Sequence, residues 1–350
     1  MQVFPVSLLK KFHRDKLYVK ENVFLLFIVS VFKCQASDFL IGVNSHLYQK
    51  KDEEIISTIE KVKSLGIKAI RVDAPWKLVE QVKGAYSIPP AWDVIVDYAS
   101  KNNIDVLFIL DYGNKYYDNG DKPISKDAVK GFVNYVDYLT KHFSNRVRFY
   151  QIWNEWNNKN GDTTPGKVED YKVLVKNTYP IIKKNAQDSI VITSSFSPAA
   201  FNKAIGLERR GDYFRDFLTT DMVNFTDALS IHPYTTYRKP PFHQFKYYTK
   251  QIEYAMNLLK SGPFKNKPIY ITEIGWTTAS SPVAVSLNTQ AQDLKNAICQ
   301  AKKLGYAGVF IYELKDNHLY PKDPEDGFGI LDSKMQNKDA ANIIQNLACN

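Results

Sequence analysis

FLIGVNSH, residues 39–46, is a short apolar run that stops at Asn44, Ser45 and His46. An open doubly wound sheet usually follows its first strand with a glycine-rich turn that cradles a phosphate. This run has no such turn, which favours a closed arrangement. Seven more runs of the same kind follow: Lys68–Val72, Asp105–Leu110, Val147–Trp153, Ile190–Thr193, Ala228–His232, Pro268–Thr272 and Ala307–Tyr312. They are nearly continuous in apolar residues rather than alternating, as expected for parallel strands buried on both faces. Between them lie stretches of helical period at Glu53–Leu65, Pro90–Lys101, Lys126–Phe143, Val168–Lys184, His243–Lys260 and Gln290–Leu304. Strands separated by helix-length segments are βαβ units. The expected fold is α/β, a single (β/α)8 TIM barrel over residues 37–350, an architecture that takes about 250 residues plus insertions. No Pro/Gly/Ser-rich linker divides it.

Residues 1–36 follow a different grammar. Val23–Phe32 (VFLLFIVSVF) is apolar, a basic segment precedes it, and the small residues Cys34 and Ala36 follow. That order is the pattern of a secretory signal, with cleavage expected after Ala36. The apolar run is too short to span a bilayer comfortably, which takes about 20 residues. Residues 1–36 therefore read as a signal peptide or an N-terminal anchor that stays attached. The expected location is secreted or periplasmic, with no stable membrane span once the signal is removed.

The 350 residues are 44% hydrophobic and 24% charged, which excludes collagen-like and broadly disordered chains. The net charge of +9 raises the question of nucleic acid. Much of it sits in the leader, where Lys10, Lys11, Arg14, Lys16, Lys20 and Lys33 face only Asp15 and Glu21. The other basic residues are scattered rather than striped, so no nucleic-acid partner is expected. Twenty-two tyrosines and five tryptophans fit either an aromatic core or exposed stacking surfaces. Of three cysteines, Cys34 would leave with the signal. Cys299 and Cys349 remain, as a disulfide pinning the C-terminal tail or as two free thiols. No cysteine or histidine spacing suits zinc, and neither metal nor cofactor is expected.

In such barrels chemistry sits at the C-terminal ends of the strands. Read in order, those ends carry Asn44 and His46, Arg71 and Asp73, Asp111, Asn154 and Glu155, His232 and Tyr234, Glu273, then Tyr312, Glu313, Lys315 and Asp316. Each alone can cap a helix or pair with a neighbour. Together they place two glutamates on opposite sides of one mouth, flanked by Arg, Asn, His and Tyr. Glycosidic bond cleavage needs such a pair, one carboxyl to protonate the leaving oxygen and one ionised to attack the anomeric carbon. Arg71 and Tyr234 are the donors expected beside the ionised one.

These stretches are similar to those of the clan A glycoside hydrolases. RFYQIWNEWNN (Arg148–Asn158) resembles their strand-four Asn-Glu motif, YITEIGWTT (Tyr270–Thr278) their strand-seven nucleophile motif, and SIHPY (Ser230–Tyr234) their strand-six His-x-Tyr. IRVDAPWKLVEQVKGAYS (Ile70–Ser87) resembles the stretch with the strand-two Arg and a Trp. IYELKDN…DPEDGFGILD (Ile311–Asp332) resembles family 39 and its bacterial exopolysaccharide-cleaving relatives. The resemblance implies a retaining enzyme with Glu155 as general acid/base and Glu273 as nucleophile. It further implies Asn154 on the sugar 2-hydroxyl, Arg71 and Tyr234 holding Glu273, and His232 lining the site. The chain departs from many relatives in having Asp111-Tyr112 where they place a strand-three His, and Tyr312 where they place a strand-eight Trp. Those positions shape the sugar pocket, so the sugar stays open.

The expected substrate is an extracellular or periplasmic poly- or oligosaccharide. His46, Trp76, Trp276 and Tyr312 are expected in its binding site. Tyr112, Tyr116, Tyr117, Trp156 and Tyr237 are further stacking candidates whose alternative is loop packing. A monomer is expected. The competing reading, a non-catalytic carbohydrate-binding barrel, would normally have lost one glutamate, and both are present.

Overall fold

The computed structural model describes residues 39–159, 164–207, 212–317 and 323–349, so the leader expected at 1–36 lies outside the described residues. Eight parallel strands close into a barrel in chain order: β1 (Leu40–Asn44), β2 (Ala69–Pro75), β3 (Asp105–Asp111), β4 (Phe149–Ile152), β5 (Ile190–Phe196), β6 (Ala228–Ile231), β7 (Ile269–Ile274) and β8 (Gly308–Ile311). β1 pairs with β8, Val43 facing Ile311, and this pairing shuts the ring. Strand limits match the sequence pattern to within one to three residues, and the glycine-poor end of β1 leads into a barrel loop as expected.

Side chains on a strand alternate between faces, and here the alternation separates two cores. Ile70, Val72 and Ala74 of β2, Val106, Phe108 and Leu110 of β3, and Ile269 and Ile271 of β7 face outward into the layer shared with the helices. Ala69, Leu107, Phe149, Ile192, Ala228, Tyr270 and Phe310 form a second apolar cluster inside the ring. Gly42 makes room for it: a Cβ there would stand 2.3 Å from the Phe310 ring. Two residues further along the same faces come Arg71, Gln151, Ser230 and Thr272, all buried and polar. The barrel interior therefore changes from apolar floor to polar mouth within one side-chain layer.

The helices are set by local signals as well as by amphipathic period. Ser125 caps Lys126–Phe143 by accepting from the Ala128 amide, and Ser286 caps Leu287–Leu304 through the Thr289 amide. The latter helix ends at Gly305 in a left-handed conformation. Among the described residues no helix is long and apolar enough to cross a membrane.

Cys299, on the Leu287–Leu304 helix, is joined to Cys349 by a disulfide with Cα atoms 5.3 Å apart. It ties down the chain beyond the short Asp339–Gln345 helix. The bridge closes a separation of 50 residues, for which chain entropy suggests a stabilisation of about 4 kcal/mol. The double variant Cys299→Ser/Cys349→Ser should lose up to about that much in denaturant titration. Two thiols that alkylate freely in the native, unreduced protein would contradict the pairing.

Candidate active site

Arg71 organises the mouth. Its Nε donates to Gln151 Oε1 at 3.1 Å, NH2 to Asn154 Oδ1 at 2.8 Å, and NH1 to both Asn44 Oδ1 and Glu273 Oε1, the last at 2.7 Å. One buried guanidinium from β2 thus fixes side chains from β1, the end of β4 and β7. Asn44 in turn donates to the carbonyls of Thr272 and Ile311, so the site is braced across the ring. The second oxygen of Glu273 accepts from Tyr234 Oη at 3.1 Å. Burial, and after it the charge of Glu273, pushes the Tyr234 phenol well above its ordinary range, which keeps it a donor.

Glu155 stands opposite. Its backbone has φ +46°, and its amide donates to the Ser195 carbonyl at 2.8 Å. A non-glycine residue in that region costs of order 1–3 kcal/mol, and such strain gathers at functional sites. Asn158 Nδ2 donates to its Oε2 at 3.0 Å, and His232 Nδ1 lies 3.0 Å from its Oε1. His232 is fully buried behind both carboxyls, with Nδ1 3.6 Å from Glu273 Oε2 and Nε2 2.9 Å from Thr272 Oγ1. One ligand-type atom from each of Glu155, His232 and Glu273 lies within 4.8 Å of the others. That spacing is the spacing of a metal-ligand trio. However, Arg71 already sets a fixed positive charge on Glu273, and His232 is engaged on both nitrogens, so the donors fit a hydrogen-bonded pair better than a metal centre.

Beside the pair lies a cavity of about 590 Å³ whose lining includes Tyr112, Asn154, Glu155, Tyr237, Glu273 and Tyr312. A smaller compartment of about 100 Å³ adjoins it on the Glu273 side, walled by His46, Arg71, Asp73, Tyr112 and Tyr312. His46 spans Asp73, at 3.5 Å, and Glu313, at 3.1 Å. Burial of its inner edge opposes charge, but the bonds to Asp73 and Glu313 outweigh that and raise the imidazole above its ordinary range. Asp111 is fully buried beneath, and burial, followed by the charge of Asp73, pushes its carboxyl well above its ordinary range.

The structure gathers Glu155, Glu273, Arg71, Asn154, His232, Tyr234, Tyr312 and His46 at one place. Trp76 and Trp276 do not join them. The Trp76 indole is fully buried, stacked between Tyr117 and Tyr135, and donates to Glu80 Oε2 at 2.7 Å. Trp276 turns outward onto Phe245 of the Phe245–Lys260 helix, with ring centroids 5.9 Å apart. Trp156 is likewise core, its Nε1 bound to the Lys167 carbonyl, and Tyr117 donates to Glu80. Tyr112 and Tyr237 do reach the cavity. Sequence reasoning passed over Asn158, Gln151, Lys122 and Glu325. Lys122 is buried, and its Nζ donates to the carbonyls of Asn158 and Thr164, clamping the loop that follows Glu155. Asn158 had a readable signal, lying three residues after Glu155 on one turn.

Breaking a buried ion pair by removing one partner typically costs about 3–5 kcal/mol. Arg71→Met should destabilise the protein by about that amount, because Glu273 loses its cation and Asn44, Asn154 and Gln151 lose their donor. Adding Glu273→Gln should recover part of the loss. A double-mutant cycle by denaturant unfolding checks this, and strictly additive effects would show the pair is uncoupled.

Residues 33–315 match the family model described as Cellulase (glycosyl hydrolase family 5). The chain is similar in structure to a family 39 glycoside hydrolase from the gut symbiont Bacteroides cellulosilyticus WH2. The identity is 25% and the TM-score 0.72, over 88% of this chain and 63% of that one. This chain therefore spans less than two thirds of that relative's length. A GH5_18 protein from Streptomyces cattleya, in complex with GlcNAc, shares the fold at 14% identity and TM-score 0.70, over 88% of this chain and 79% of that one. The endo-beta-1,4-mannanase from Thermotoga petrophila does so at 16% and 0.67, over 89% and 76%. No curated protein matches the sequence. Families 5 and 39 both lie in the clan that the strand motifs resemble. With the family model covering most of the barrel, the chain belongs to the cellulase family, glycosyl hydrolase family 5, within clan A.

Proposed function

We propose that the protein is a retaining β-glycosidase acting on a poly- or oligosaccharide, with Glu273 as nucleophile and Glu155 as general acid/base. The observation that carries this reading is the spacing of the two glutamates. Retaining enzymes hold their carboxyls about 5–5.5 Å apart, inverting ones about 6.5–9.5 Å to admit a water between them. Here an oxygen of Glu155 lies within 4.8 Å of one of Glu273. The hydrogen bonds divide the roles. Glu273 has a cation and a phenol on its two oxygens, which aims a charged carboxylate without giving it a proton. Glu155 has an imidazole and an amide, partners that tolerate a proton coming and going.

Glu273 attacks the anomeric carbon while Glu155 gives its proton to the departing oxygen, leaving a glycosyl ester on Glu273. Glu155, now a carboxylate, takes a proton from water as that water attacks the same carbon. The sugar is released with its original configuration and Glu155 is protonated again. Asn154, held by Arg71 and with Nδ2 3.0 Å from Tyr112 Oη, is placed to meet the sugar 2-hydroxyl.

The two glutamates can be told apart by rescue. Glu155→Ala should lose most activity on natural polysaccharide yet retain cleavage of aryl glycosides with acidic phenols, which need no proton. Azide should then intercept the glycosyl-enzyme and give a product of retained configuration. In Glu273→Ala, azide replaces the nucleophile itself and should give inverted configuration. Swapped outcomes would reverse the assignment, and wild-type activity in both variants would end it.

We also propose that the enzyme works outside the cytoplasm, in the periplasm or beyond the cell, on the strength of the charged, apolar and small-residue order of the leader. Mass spectrometry of the exported protein should find a chain beginning near Ser37, or an intact chain held at the membrane if the leader serves as an anchor. An intact chain confined to the cytosol would overturn the proposal.

A further inference from the structure

The sugar attacked by Glu273 lies on that residue's side of the cavity, where several carboxylates gather. Glu273 is matched by Arg71 at 2.7 Å. His46 is one cation between two carboxylates, Asp73 and Glu313. Glu325 adds a further carboxylate. It is carried by the Pro324–Gly327 turn after β8 and lines the same cavity as Glu273. The Tyr237 and Tyr312 hydroxyls both donate to it, the latter at 3.0 Å. Among the described residues it forms no ion pair, whereas Glu273, Glu313 and Asp316 each face a cation. Arg238 and Lys159 line the cavity too, and Arg238 donates to the Pro198 carbonyl and Asn202 Oδ1 rather than to Glu325.

A carboxylate whose side-chain partners among the described residues are two donating phenols offers acceptor lone pairs. A sugar hydroxyl or ammonium satisfies it, whereas a second carboxylate meets like charge. Its tyrosines also fix it in place: Tyr312 packs edge-on against His46, Tyr234 and Phe328. We propose that Glu325 is a specificity-determining residue that selects the charge of the sugar bound against Glu273, accepting neutral and amino sugars and rejecting uronic acids. This rests on the glycosidase reading of Glu155 and Glu273.

The test uses the full chain at slightly alkaline pH and three aryl β-glycosides of one accepted configuration, with hydroxymethyl, aminomethyl or carboxylate at the last carbon. Solvent reaches Glu325, which screens its field, so wild-type kcat/KM should fall about tenfold from the neutral to the carboxylate substrate and hold or rise for the amine. Glu325→Gln should shrink the carboxylate penalty to about twofold, judged as the ratio within each protein so that any general loss cancels. Added salt should narrow the wild-type ratio and leave that of the variant unmoved, a comparison that Glu325→Ala repeats if the amide folds poorly. Equal penalties in wild type and variant, or a wild type that cleaves the uronide as readily as the neutral sugar, would overturn the proposal. Failure to cleave any of the three by wild type would instead strike the glycosidase reading and this inference with it.

Discussion

A single buried guanidinium holds the mouth of this barrel together. Arg71 offers its donors in a rigid plane, and its four partners, Asn44, Gln151, Asn154 and Glu273, come from β1, the end of β4 and β7. A lysine ammonium, a compact point charge on a flexible stem, could not meet acceptors lying in that many directions. The cost of burying the cation is offset because it is both paired and makes four hydrogen bonds. Everything that gives the site its shape, from the orientation of Glu273 to the aim of Asn154, follows from that fork.

The second constraint is backbone geometry at the end of β4. Trp153 and Glu155 both take positive φ, and Ser194 on β5 does the same. The chain turns so sharply that Trp153 and Trp156 go into the core while Asn154 and Glu155 face the cavity. Lys122 then secures the loop beyond from below through two carbonyls. Strain at Glu155 is thus held by packing on one side and by a buried cation on the other.

Much of this was legible in the chain. Continuous apolar runs place strands, and a strand's last residues reach the mouth whatever follows, which is why Arg71, Glu155, His232 and Glu273 could be named from position alone. The tryptophans show where that logic stops. Trp76 and Trp276 lie just past strand ends, but the direction of a side chain beyond a strand is set by the turn and by available packing partners, Tyr117 and Tyr135 for one and Phe245 for the other. Spacing carries no such information. Glu325 was hidden for another reason, since it reaches the cavity only because the long return after β8 folds back over the mouth to meet Tyr237 and Tyr312. Asp111 stands where many relatives carry a histidine, yet it is buried beneath the pocket, and Tyr112 supplies the wall.

The apolar plug inside the ring has a consequence for traffic. Phe149, Tyr270 and Phe310 fill the lower barrel, with Gly42 hollowed out to admit the last ring. These apolar side chains form the floor of the barrel, and the catalytic cavity lies above them at the mouth. On the proposed reaction, the sugar esterified to Glu273 lies on that residue's side of the cavity while the severed half lies beside Glu155. Water must then arrive from outside, through the space that the severed half has left. The order of events becomes a matter of plumbing: departure clears the way for hydrolysis, and a lingering product or a second sugar alcohol in that space would be met in water's place.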